Sequence, residues 1–178
     1  MARKATPSPL PQGIKADHIT AKGWHRHANP AAVLALGLFL AAALAGAFGG
    51  QPHPTRTITT PSADLTFQLP ERIRNGMFFE MRTTVETKRP FADLTLAVSS
   101  TYWRDMTINS MIPGPTEETS ENGLYRFSYG PIDANQTLTI KFDGQINPPL
   151  FGGTKGNILL MDGNTVVATI PVKMRVLP

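Results

Sequence analysis

Two hydrophobic rhythms divide this chain. Residues 31–49 form a block of Ala, Val, Leu, Gly and Phe with no polar interruption. From residue 63 onward, apolar and polar positions alternate in short runs, the period of strands with one buried face. In "MFFEMRTTVE", Met77, Phe79, Met81, Thr83 and Val85 share one face, and Phe78, Glu80, Arg82, Thr84 and Glu86 the other. The same alternation aligns Leu94 with Leu96 and Val98, Met106 with Ile108, Tyr125 with Phe127 and Tyr129, and Leu138 with Ile140 and Phe142. Two final runs flank Asp162-Gly163-Asn164, a hairpin signal because Asp and Gly both tolerate positive φ. In the closing run Val166, Ala168, Ile170, Val172, Met174 and Val176 face one way. Pro171 faces the other and cannot donate to a ladder, which predicts an edge position or a bulge. With "DLTFQL" at 64–69, the pattern predicts an all-β fold over 63–178. The expected architecture is an antiparallel Ig-like or fibronectin-like sandwich of seven or eight strands.

The apolar block predicts something else. A helix over 31–49 would cover about 28 Å, close to the roughly 30 Å of a bilayer's hydrocarbon core. Pro30 suits a first helical turn, and Gly49, Gly50 and Pro52 suit a helix end. A single transmembrane helix is therefore expected over 30–50. It would follow a disordered basic tail at 1–29 and precede a Pro/Thr-rich linker at 51–62. Gly37, Ala41, Ala45 and Gly49 recur every four residues, a spacing that lets helices approach closely in lipid and points to a homodimer through this helix.

Charge sharpens the picture. Residues 1–30 carry Arg3, Lys4, Lys15, Lys22 and Arg26 against Asp17 alone, whereas from residue 51 there are 12 Lys/Arg and 12 Asp/Glu. The pI of 9.6 thus belongs to the tail, and a neutral domain gives no support for nucleic-acid binding. Basic residues on one side of an apolar block predict a cytoplasmic N-terminus and an exported C-terminal domain. The expected location is a bacterial inner membrane, crossed once, with the sandwich in the periplasm. Ala45-Gly46-Ala47 resembles a signal-peptide cleavage site. A leading segment of some 30 residues and apolar character through Phe48 favour a retained anchor.

One stretch carries a family likeness. "LYRFSYGPIDANQTLTIKFDGQINPP", residues 124–149, resembles the closing half of bacterial Ig-like domains of the conserved-repeat and alpha-galactosidase-associated type. The resemblance implies an extracytoplasmic spacer or interaction module and transfers no functional residue.

Chemistry is sparse. With no cysteine, thiolate nucleophiles, Cys-based zinc sites and disulfides are excluded. His53 is the only histidine beyond the apolar block, so a Ser-His-Asp triad cannot be assembled in the domain. His18, His25 and His27 in the tail are a weak metal signal beside Trp24, which reads as a membrane-interface residue. Glu117, Glu118 and Glu121 read as a solvated loop, because their spacing matches no calcium loop. "FGGTKGN" lacks phosphate-loop spacing. Six domain methionines could ligate Cu(I), but Met81, Met106 and Met174 are in phase with core residues. Two interaction candidates stand out: Tyr102, Trp103 and Arg104 in "TYWRDM", and Leu150 with Phe151 in "INPPLFGG". For Trp103 the competing reading, burial by a strand bend, ranks slightly ahead. No enzymatic activity and no cofactor are expected. The chain reads as a membrane-anchored interaction or accessory module for a membrane or envelope protein partner. A carbohydrate- or ligand-binding module ranks second and a copper-handling assembly factor third.

Overall fold

The computed structural model describes residues 10–20, 23, 25–49 and 53–178. The chain divides into two units, Met1–Ala45 and Gly46–Pro178. The first holds one helical turn, α1 (Ala16–Ile19), and a longer helix, α2 (His25–Leu44). The second holds the strands β1 (Thr55–Thr59), β2 (Ala63–Gln68), β3 (Arg72–Arg74), β4 (Phe78–Thr87), β5 (Leu94–Ser99), β6 (Met106–Ile112), β7 (Glu117–Glu121), β8 (Leu124–Ser128), β9 (Thr137–Ile146), β10 (Thr154–Asp162) and β11 (Thr165–Leu177).

Side-chain alternation builds the sandwich. One sheet runs β1-β2-β4-β9-β6 and the other β3-β11-β10-β5-β8-β7. In β4, Phe79, Met81, Thr83 and Val85 are buried, as the sequence pattern predicts, and Thr87 with them, while Met77 just before the strand is exposed. Leu65, Phe67, Ile140 and Phe142 complete this inner face, and Leu96, Val98, Ile158, Leu160, Val172 and Met174 line the other. β5 is buried on both faces, Thr95, Ala97 and Ser99 included. The domain is an Ig-like β-sandwich.

Eleven strands stand among the described residues, against the seven or eight expected. The eight apolar runs all form strands, and β1, β3 and β7 are additional. All three lie at sheet edges. An edge strand packs little against the core, so it shows little alternation: β7 is exposed at every position and β1 at all but Ile58. The expected linker therefore contains a strand, and the expected acidic loop is one. The sheets are not wholly antiparallel either, since β3 runs parallel to β11, with Arg72 opposite Arg175. β3 reaches only Arg175–Leu177, which leaves β11 an open edge at Pro171, in line with the missing donor there. At the β10–β11 hairpin only Gly163 takes positive φ, at 57°, and Asp162 stays in the ladder opposite Thr165. Gly153 is required: its φ is 113°, and a Cβ there would stand 2.0 Å from the Met174 carbonyl oxygen.

The helical unit departs further from expectation. α2 starts at His25 rather than at Pro30, so the proline lies inside the helix, where its missing N–H leaves one intrahelical acceptor unused. The tail is correspondingly less irregular than predicted. α2 ends at Leu44, because the chain turns at Gly46 (φ 77°) and Gly49 (φ 83°). Its apolar part begins at Ala31, so roughly 21 Å of helix is apolar at 1.5 Å per residue. Among the described residues, no helix is long and apolar enough to cross a membrane. The small-residue stripe is also broken. Gly37 and Ala41 lie on α2, and the Ala45 amide still bonds the Ala41 carbonyl at 2.9 Å. Gly49 instead lies beyond the turn, where a Cβ would stand 3.7 Å from the Arg72 carbonyl oxygen.

Candidate functional site

The two inner faces part where edge strands meet. Between β6 and β7, the last strands of their sheets, a cleft of about 530 Å³ opens. Trp103, Met106, Ile108, Met111, Tyr125 and Phe127 give it an apolar floor, and Asn109, Ser110, Glu118, Thr119 and Ser120 rim it. Trp103 packs on Tyr125 in a stacked arrangement at 5.9 Å, and meets the Phe127 and Phe142 rings at 5.5 Å each. Tyr125 is 37% exposed and carries the aromatic surface toward solvent. The Trp103 Nε1–H is buried and finds no acceptor among the described residues. At the cleft's end the Tyr129 hydroxyl donates to Met111 Sδ at 3.2 Å. Burial, with Glu118 nearby, pushes that phenol well above its ordinary pKa.

Local structure explains how Trp103 arrives here. After β5 the chain turns sharply, with the Tyr102 and Trp103 amides both donating to the Ser99 carbonyl and Asp105 taking φ 55°. The turn sends two consecutive aromatic side chains inward. It replaces the extended run that would have left Trp103 on a polar face.

The predicted interaction residues therefore do not form one surface. Tyr102 and Leu150 are fully buried, and Trp103 is 7% exposed. Of the first group only Arg104 faces solvent, 3.4 Å from Asp105. Of the second only Phe151 does, at 68% exposure. Trp103 is the member that reaches a candidate site, as its floor rather than as a protruding anchor. The sequence pattern aligned Tyr125 with Phe127 but could not place them beside β6, because that juxtaposition depends on β7 being a strand.

Other expected chemistry stays apart. Met81, Met161 and Met174 are buried in the core, and Met106 and Met111 pack against it. Burial holds the His53 imidazole below its ordinary pKa, against the opposing pull of Glu80. Among the described residues, no group of three His, Asp or Glu converges to hold a metal ion. The His18 ring accepts the Lys15 amide at 3.4 Å, while Trp24 and the His25 and His27 side chains lie outside the described residues.

No protein-family model matches the chain, and no curated protein matches it. Solved structures with a similar arrangement include the chitin-binding domain of a chitinase from Pyrococcus furiosus, at 19% identity. That match covers 63% of this chain and 98% of the other, with a TM-score of 0.42. A non-cellulosomal cohesin from Archaeoglobus fulgidus is 14% identical, over 61% and 87%, with a TM-score of 0.38. A CARDB domain from Pyrococcus furiosus is 16% identical, over 68% and 95%, with a TM-score of 0.40. All three are Ig-like β-sandwiches. The likeness is one of architecture, and the assignment of this domain to that class rests on its own two sheets.

Proposed function

We propose that the chain is a non-catalytic interaction module, an Ig-like sandwich held at a membrane by the apolar helix that precedes it. The observation that carries the interaction role is the β6–β7 cleft. Two edge strands, each with one unpaired side, flank an apolar floor of Trp103, Met106, Met111 and Tyr125. An extended segment of a protein partner would pair with an open edge and set alternate side chains on that floor. Trp103 is too buried to serve as a sugar-stacking platform, and within the cleft only Tyr125 presents an exposed ring, so carbohydrate ranks second.

The membrane role draws on α2. Val33, Leu34, Leu36, Leu38 and Leu40 are all more than half exposed, and residues 31–44 are apolar around the whole circumference. A helix that is hydrophobic all round is stable only when covered, and lipid is the cover that suits it. Its apolar length is short of a full hydrocarbon core, a mismatch that local thinning of the bilayer would make up. The basic tail would stay in the cytoplasm and the sandwich would be exported.

A photo-crosslinking residue at Asn109 or Thr119 tests the cleft in cells. Adducts at both positions, but not at Thr169 on another surface, are expected. Tyr125→Ala should remove them. No adducts at either rim, together with a glycan-dependent change in Trp103 fluorescence, would favour carbohydrate instead. Carbonate-resistant pelleting and an active C-terminal alkaline-phosphatase fusion are expected of the membrane reading. A chain released by carbonate would refute it.

A further inference from the structure

The outer face of the second sheet is electrostatically one-sided. Lys155 and Lys173 are directly opposed across β10 and β11, and Arg72 and Arg175 are directly opposed across β3 and β11. Alternation puts Lys173 and Arg175 on one face, and Arg74 lies two residues from Arg72 on the same side. Five cations thus share one face of three adjacent strands. Like charges set directly opposite each other are unfavourable, so a sheet rarely gathers them without a counter-charge. Among the described residues, Arg72, Lys155, Lys173 and Arg175 make no ion pair. Glu71, next to Arg72 in the chain, is taken by Arg56. The compensating Glu117, Glu118 and Glu121 sit on β7, at the opposite edge of the sheet. Three to five strand spacings place them roughly 14–24 Å away, beyond the physiological Debye length of about 8 Å. The basic face also borders a groove of about 1110 Å³ lined by Ile58, Phe67, Leu69 and Ile170.

The chain just after the apolar helix is fastened to this same edge. Arg74 Nε donates to the Phe48 carbonyl at 3.1 Å, and Gly49 packs on the backbone of Arg72 and Ile73. Three residues separate Phe48 from Leu44, so four Cα steps give a reach of about 14 Å at most.

We propose that this basic face docks on the anionic phospholipid headgroups of the bilayer that holds the helix. The inference rests on the membrane reading above. A flat array of cations suits a flat layer of anions, and the short connection keeps it within reach of that layer. Bulk anions in solution would meet the same charges, but without the tether that concentrates the face at a surface.

The absence of cysteine allows the test. Full-length chain with Asn157→Cys, on the basic face, or Thr119→Cys, at the far edge, is labelled with a fluorophore. Each is reconstituted into vesicles of phosphatidylcholine alone or with phosphatidylglycerol, both carrying a headgroup spin-labelled lipid as quencher. Stronger quenching of the N157C label in anionic vesicles is expected, with no such gain for T119C. The gain should be lost in Lys173→Glu/Arg175→Glu, and lost at about 1 M salt, where screening acts beyond roughly 3 Å. The variant's folding is checked by an unchanged Trp103 emission in a Trp24→Phe background. Equal quenching in both vesicle types, with chain present in both, overturns this inference and leaves the membrane reading standing. A chain that associates with neither vesicle overturns both.

Discussion

Replacing Trp103 by alanine tests whether this residue is the floor of the cleft or an anchor projecting from it. A tryptophan buries about 150–250 Å², which at about 25 cal/mol/Å² is worth roughly 4–6 kcal/mol. A compact denatured state already hides part of that area and trims the figure to about 3–4 kcal/mol. That agrees with the roughly 3–5 kcal/mol lost when large aromatics are truncated in cores. The stacked Tyr125 and the two phenylalanine rings lose their partner at the same time. With a urea m-value of about 2 kcal/mol/M, the midpoint should fall by about 1.5–2 M. Circular dichroism in mild detergent reads the unfolding. Trp24→Phe makes Trp103 the sole indole, since the chain has two, and its emission should be blue-shifted before unfolding. A midpoint unchanged by Trp103→Ala, or a solvent-like emission maximum in the folded chain, would refute the buried placement and revive the protruding anchor.

Two further outcomes follow from single atoms. The Tyr102 hydroxyl is buried without a partner among the described residues, and burial pushes its phenol well above the ordinary value; Tyr102→Phe should therefore raise stability by up to about 1 kcal/mol, and a loss of that size in a melt would mean the hydroxyl is bonded. Asp162 accepts hydrogen bonds from Arg89 at 2.8 Å and from the Ala92 and Asp93 amides, and Arg89 above all holds its carboxyl below the usual carboxylate range. Its contribution is complete above that range and disappears as pH falls through the lowered value. Asp162→Asn should thus cost about 1.5–3 kcal/mol at neutral pH, and the difference should begin to shrink below about pH 4 and vanish as pH falls through the lowered value; a difference that persists into strong acid would assign the effect to packing.

What the sequence made legible was what the core selects. Met81, Val85, Leu96, Ile140, Phe142 and Met174 are buried where their alternation predicts, because a one-residue slip would turn the whole set outward. Edge strands escape that selection. Nothing in "EETSE" or "TRTIT" distinguishes a strand from a loop, because both faces meet water and only pairing with β8 or β2 makes them strands. The cleft was hidden for the same reason, as one wall is β7. Trp103 is buried at a bend, the reading the sequence slightly favoured, because a period of two holds only while the chain stays extended and the turn at Ser99–Asp105 ends it. The apolar block was plain, but its helical length was not: Gly46 takes a left-handed conformation within a run that hydropathy alone reads as continuous.

The parallel pairing of β3 with β11 has a consequence for the order of events in biosynthesis. The two partners lie about a hundred residues apart in the chain. β11 also completes the central part of its sheet against β10. During vectorial synthesis, the second layer therefore lacks its closing strand until nearly the whole domain has emerged, since such distant pairings form late and slowly. A chain that must thread a narrow translocation channel in unfolded form is helped by this delay. On the proposed route of export, the topology that makes the finished sandwich slow to close would keep the chain passable.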